Sequence, residues 1–249
     1  MAYEAIDPGS EGVLVIYILM VIFSIIMSAL MFRKWRERQT KPTKLMFLLF
    51  ALLTVTIIII MSGMVQLVIL REKRELYMFS LAAGYTIIML SHLLMLSFAE
   101  TIFNIEEGWT KIYSIIAVVI AVLVALPFNS YGKPNEEVQV VWFRPVTSVL
   151  MVLFSIIVYS RIAGIAFKNA RETEQPLPKA GFTWIAYSQL SMIAFFVFLM
   201  LDVIYFTITG GGGYSFFVYL AWISAGLFFL FCYMGLIMPD WLKKRYTSS

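Results

Sequence analysis

The chain has almost none of the residues from which active sites are built. It holds one histidine, His92, and one cysteine, Cys232. A single histidine excludes bis-histidine haem ligation and a three-histidine zinc site. A single cysteine excludes an intrachain disulfide. No GxSxG, HExxH or Walker A pattern occurs in the 249 residues. The last apolar run contains no lysine, so a retinal Schiff base of the microbial rhodopsin kind has no attachment point there. Charge is scarce as well: 14% of residues are charged, against about 25% in soluble domains. No polar stretch is long enough for a separate catalytic domain. These absences argue against an enzyme, a metal site and a cofactor.

Apolar sequence fills the chain instead. Hydrophobic residues make up 61% of it, too many for a surface that faces only water. They gather in seven runs, at 13–32, 45–70, 76–103, 112–128, 141–167, 183–209 and 216–238. A bilayer core of about 30 Å takes roughly 20 helical residues, so each run is read as a transmembrane helix. The expected fold is all-α: one polytopic domain, a seven-transmembrane-helix bundle. The N-terminal MAYEAIDPGSEG is acidic and lacks the basic start of a signal peptide, so the first run is expected to remain as a helix.

The basic residues set an expected orientation. The first link, RKWRERQTKPTK, carries Arg33, Lys34, Arg36, Arg38, Lys41 and Lys44 against Glu37 alone. With the N-terminus outside, the inner side collects these six plus Lys111, Arg161, Lys168, Arg171, Lys179, Lys243, Lys244 and Arg245, fourteen of the nineteen Lys and Arg. The outer side holds Arg71, Lys73, Arg74, Lys133 and Arg144. The positive-inside rule then predicts a multi-pass cell-membrane protein, N-out and C-in. Breakers fall between the runs: Pro42, then Pro127, Gly132 and Pro134, then Pro176 and Pro178, then Gly210 to Gly213, then Pro239. The basic residues are read as topology signals and lipid contacts, not as a nucleic-acid surface.

Ionisable residues inside a membrane are costly and are functional candidates by default. By depth, Asp202 and Arg144 fall at the outer level, and Glu100 and Arg161 at the inner level. Two ion pairs are therefore expected, Asp202–Arg144 and Glu100–Arg161. Static clips between helices, or arginines snorkelling to headgroups, explain the same positions. His92 and Tyr85 are seven residues apart and share a helical stripe. A lone histidine among apolar neighbours is more often hydrogen-bonded than ligating. Ser188, Ser191 and Asp202 share a face of the sixth run. Aromatic residues crowd the last two runs, Tyr205 among them, and serve as packing or as walls of an apolar pocket. The candidate ligand-binding set is Asp202, Arg144, His92, Tyr85, Ser191 and Tyr205, with Glu100 and Arg161 as an inner ionic pair. Small residues at Ser160/Gly164 and Ala221/Ala225 are spaced for close helix contact.

The end of the last run, Phe231-Cys232-Tyr233-Met234-Gly235-Leu236-Ile237-Met238-Pro239-Asp240-Trp241, resembles the exit of prokaryotic seven-helix sensor regions found ahead of histidine kinases. The resemblance implies seven helices, N-out and C-in topology, and membrane sensing. This chain ends at Ser249 with no kinase, so the expected output passes to a separate cytoplasmic or membrane signalling protein. Arg33–Lys44, Arg171–Lys179 and Lys243–Arg245 are the expected contacts. A second copy of the chain is another partner the fold allows. Two other functions fit the sequence: a non-catalytic subunit of a membrane complex, and a small transporter or proton conductor using Asp202, His92 and Glu100 as relay sites. An enclosed pocket beside Asp202 favours sensing, a continuous polar path favours conduction, and a dry interior with a face of small residues favours a subunit.

Overall fold

Among the described residues, seven helices are long and apolar enough to cross a membrane, and one short helix follows them. They are α1 (Ser10–Arg38), α2 (Lys41–Leu70), α3 (Glu75–Phe103), α4 (Glu107–Ala125), α5 (Phe143–Glu172), α6 (Pro176–Thr209), α7 (Phe216–Ile237) and α8 (Asp240–Thr247). The computed structural model describes residues 5–105, 107–126, 128–129, 142–209 and 213–247, with the side chains of Glu107, Thr207 and Thr247 excepted. The loop markers Pro127, Gly132, Lys133 and Pro134, and Gly210 to Gly212, lie outside the described residues. Each helix packs on the next in sequence, and α7 returns to α1, so the seven long helices close into a ring. α3 also reaches across to α5, and α8 folds back onto α6.

Several helices run past the expected spans. α1 continues to Arg38 and α2 begins at Lys41, so the basic first link is mostly helix and only Gln39 and Thr40 join the two. Glu37 explains why the helix tolerates so many cations. It accepts from Arg33 at 3.0 Å and from Lys34 at 2.6 Å, the i,i+4 and i,i+3 spacings that support a helix. Gln39 ends α1 in the left-handed region (φ 52°), and Pro42 sits in the first turn of α2, where its missing N–H costs nothing. α5 and α6 likewise extend into the basic link, which shrinks to residues 173–175.

The eighth helix was not expected. Met238 terminates α7 with φ 51°, Pro239 follows, and the basic tail then forms α8. Leu242 is buried against Ala180, Met234 and Met238, while Trp241 is exposed. That is the division of faces expected of an interfacial helix.

Apolar side chains also cover the outside of the ring. Val15, Leu19, Ile22 and Ile26 form one exposed stripe on α1, and Ile112, Ile115, Val119 and Val122 form another on α4. Stripes at this spacing face lipid in a membrane bundle. Inside, four glycines let backbones approach closely. A methyl on Gly63 would fall within 2.9 Å of Tyr77 Cα, one on Gly84 within 2.5 Å of Ile60, one on Gly181 within 3.0 Å of Gly235 O, and one on Gly235 within 2.9 Å of Gly181 O. The expected Ser160/Gly164 contact is corrected: both are exposed, and nothing lies within 4 Å of a methyl on Gly164. Ala221 and Ala225 are buried.

Candidate functional site

The two ends of the ring differ in charge. Among the described residues, the end carrying α8 holds fourteen basic residues against six acids, and the end carrying residue 5 holds four against five. We refer to these as the C-terminal and N-terminal ends.

At the N-terminal end, residues 5–9 cross the mouth of the ring as a strap. Ile6 N–H donates to Arg71 O at 2.9 Å, in the α2–α3 link. Pro8 O accepts from Tyr214 N–H at 3.2 Å, in the α6–α7 link. The half-buried Lys73–Asp7 ion pair, at 2.9 Å, fastens the strap between them. Glu11 pairs with Arg71.

Asp202 meets the same α6–α7 link one residue beyond the strap's anchor at Tyr214. Its Oδ1 accepts from Ser215 N–H at 2.9 Å and from the Ser215 hydroxyl. Ser215 is the N-cap of α7, and its Oγ in turn accepts from Phe217 N–H at 3.1 Å. One carboxylate near the end of α6 thus holds the first turn of α7 across the glycine-rich link. Beside it is a recess of about 400 Å³, lined by Pro8 and Gly9 of the strap and by Tyr205, Phe206, Tyr214, Ser215, Phe216 and Phe217. That volume is in the range of small-molecule sites, about 300–1,000 Å³. The Tyr214 hydroxyl meets the Tyr77 hydroxyl at 3.3 Å and Met64 Sδ at 3.5 Å. Burial pushes the Tyr214 phenol far above its ordinary range, so it stays a neutral donor and acceptor.

The expected Asp202–Arg144 pair is corrected. Asp202 makes no described ion pair, because its carboxylate is directed to the α7 cap. Tyr85 nevertheless lies within electrostatic reach of both Arg144 and Asp202, so these three share one level of the bundle. Tyr205 lines the recess, with its ring 5.2 Å from Phe206 and 6.5 Å from Phe217.

His92 and Ser191 lie elsewhere. His92 is fully buried, with Nδ1 bonded to Ile88 O at 2.9 Å and its ring against Phe154 and Tyr159. Ser191 donates to its own helix at Tyr187 O. Ser188 turns inward and takes part in a buried polar group that the sequence reading missed. Its Oγ accepts from Gln189 Nε2 at 2.9 Å and from Cys232 Sγ at 3.2 Å. His92 Nε2 and Gln189 Oε1 have no hydrogen-bond partner among the described residues. Ser188 was read only as part of a polar face, and Gln189, an amide in the middle of an apolar run, was the further signal in the sequence.

At the C-terminal end the Glu100–Arg161 pair is also corrected. Glu100 Oε2 accepts from Thr110 Oγ1 at 2.9 Å, on the adjoining α4. Arg161 is exposed and lies over the Trp109 ring at 5.9 Å. The short α3–α4 link brings α4 to Glu100 first. Among the described residues no group of three or more His, Cys, Asp or Glu is gathered where it could hold a metal. Comparison with protein-family models, curated proteins and solved structures returned no match.

Proposed function

We propose that this chain is a receptor-like sensory membrane protein that binds its ligand in the N-terminal recess, outside the cell, and reports to a separate partner at the cytoplasmic C-terminal end. The observation that carries this reading is the Asp202–Ser215 cap. It ties the rim of a ligand-sized recess to the first turn of α7, the helix whose far end meets α8. A ligand that touches Tyr205, Tyr214 or the strap bears directly on that cap. To shift the bundle, it must bind one arrangement of the cap more tightly than another. The lining favours a small, partly aromatic molecule with a donor or acceptor for the tyrosine hydroxyls.

Conduction through Asp202, His92 and Glu100 is disfavoured by the residues between them. Ile88 and Met89 are buried just above His92, and Met95, Leu96 and Phe98 fill α3 between His92 and Glu100. No described hydrogen bond links the three levels.

The test is purification in mild detergent, extraction and mass spectrometry of retained small molecules, comparing wild type with Tyr205→Ala. Tyr205 is half exposed, so its truncation spares the fold. The expected result is a compound enriched about tenfold on wild type and lost from the variant; about tenfold corresponds to 1.4 kcal/mol of binding. Identical extracts from the two proteins would count against the recess as a ligand site. A co-purifying membrane protein at fixed ratio, unaffected by Tyr205→Ala, would favour the assembly-subunit reading.

A further inference from the structure

A second recess lies at the opposite end of the ring and has a different chemistry. It measures about 270 Å³ and lies between the start of α6, the end of α7, the end of α1 and α8. Its walls are apolar, formed by Ile102, Leu177, Phe182, Ile185, Leu236 and Met238. Two cations complete its lining, Arg38 from α1 and Lys243 from α8. The floor is backbone: Gly181 and Gly235 pass so closely that neither has room for a methyl. No side chain from those positions fills the space.

Arg38 is only partly used. Its Nη1 donates to Leu236 O at 3.0 Å and its Nη2 to Ile237 O at 3.3 Å, closing the C-terminus of α7. A guanidinium has five N–H donors, and the others have no described partner. Lys243 is bonded to Asp240 Oδ1 at 3.1 Å. Asp240 is 89% exposed, so that pair is weak and exchangeable.

We propose that this recess is a binding site for the headgroup of an anionic phospholipid from the leaflet at the C-terminal end. Three observations converge on that occupant. Two cations beside apolar walls match a phosphate attached to a glycerol and methylene chains. Among the described residues this end carries fourteen bases against six acids, which concentrates anionic lipid around it. The recess lies where α7 ends and α8 begins, and α8 carries the exposed Trp241 in the manner of an interfacial aromatic. The volume is at the small end for a ligand site, so it takes the phosphate and glycerol and leaves the acyl chains on the lipid-facing helices. The bound phosphate bridges Arg38 and Lys243 and so joins α1, α7 and α8. This site is independent of the N-terminal recess and of the sensory reading.

The experiment places the full chain in nanodiscs of phosphatidylcholine containing a minor fraction of phosphatidylglycerol, releases it, and counts retained lipids by native mass spectrometry. Wild type is expected to retain one phosphatidylglycerol in preference to phosphatidylcholine. Lys243→Gln is expected to lower that retention about fivefold, the loss appropriate to one basic side chain near an anionic surface. Lys244→Gln, exposed on the same helix and outside the recess, is expected to leave it unchanged. Because Arg38 also closes α7, Lys243 is the decisive position. Equal loss in the two variants, or equal retention of the two lipids by wild type, would overturn the proposal. A third arm adds inorganic phosphate at millimolar concentration. Retention that survives it supports a lipid site, and full displacement shows a site for free phosphate instead.

Discussion

Asp202→Ala destabilises the bundle by about 2 kcal/mol, and about half of that loss disappears in a Ser215→Ala background, which removes the hydroxyl and keeps the backbone N–H. The carboxylate accepts both the backbone N–H and the hydroxyl of Ser215. Hydrogen bonds to a charged acceptor contribute about 1.5–3 kcal/mol, because removal leaves a donor stranded. Neutral interhelical bonds in membranes average only about 0.6 kcal/mol. The Asp202 bond exceeds that figure because it is charge-assisted and because Ser215 also caps α7 through Phe217 N–H. A double-mutant cycle in mixed micelles, unfolding with increasing dodecyl sulfate, reads the coupling. The Asp202–Ser215 coupling, which reads the hydroxyl bond alone, is expected to be about 1 kcal/mol, and the Asp202–Arg144 coupling below about 0.5 kcal/mol. The reverse order would show that the carboxylate works as the ion-pair partner of Arg144 and not as the brace of α7.

The second large effect comes from a single methyl group. Gly63→Ala drives Cβ into Ser80 Oγ and to within 2.9 Å of Tyr77 Cα. Ser80 can rotate, but the Tyr77 backbone cannot, so α2 and α3 must separate at this level. Overpacking of this kind costs about 1–3 kcal/mol. The disturbance also reaches Tyr77, whose hydroxyl meets Tyr214 beside the recess. Gly164→Ala is the control. A methyl there meets nothing within 4 Å, and exchanging glycine for alanine within a helix favours the helix by roughly 0.8–1 kcal/mol. The two substitutions are therefore expected to change stability in opposite directions in the same unfolding assay. Two losses of similar size would mean that Gly164 is covered by a neighbour, such as a second copy.

These cases show where the sequence was legible. Seven apolar runs of spanning length identify seven helices, because length and hydropathy are local properties of the chain. The charge asymmetry is equally local, and it separates a basic end from an acidic one. The pairings were not legible. Depth alone put Asp202 opposite Arg144 and Glu100 opposite Arg161, yet which partner is reached depends on which helix face lies nearest. Asp202 turns to Ser215, thirteen residues on across the link before α7, and Glu100 turns to Thr110 across the short α3–α4 link. Both true partners are uncharged, so no charge pattern announced them. Gly164 and Gly63 are indistinguishable as sequence signals, because only packing decides which glycine faces a neighbour. α8 was missed because eight mostly polar residues give little periodicity, and its helical character depends on Leu242 docking against α6 and α7. The strap was hidden as well. Its anchors, Arg71, Lys73 and Tyr214, lie far along the chain.

The central claim is that the recess under the strap is coupled through α7 to the basic end. Hydrogen exchange on the nanodisc-embedded protein, with and without the compound recovered from wild type, tests it most directly. The account predicts slowed exchange at residues 5–9 and 213–218, and a simultaneous change at 236–247, where α7 meets Arg38 and α8. Protection confined to 5–9 and 213–218, with the far end unaltered, would contradict it: the recess would then bind without reporting.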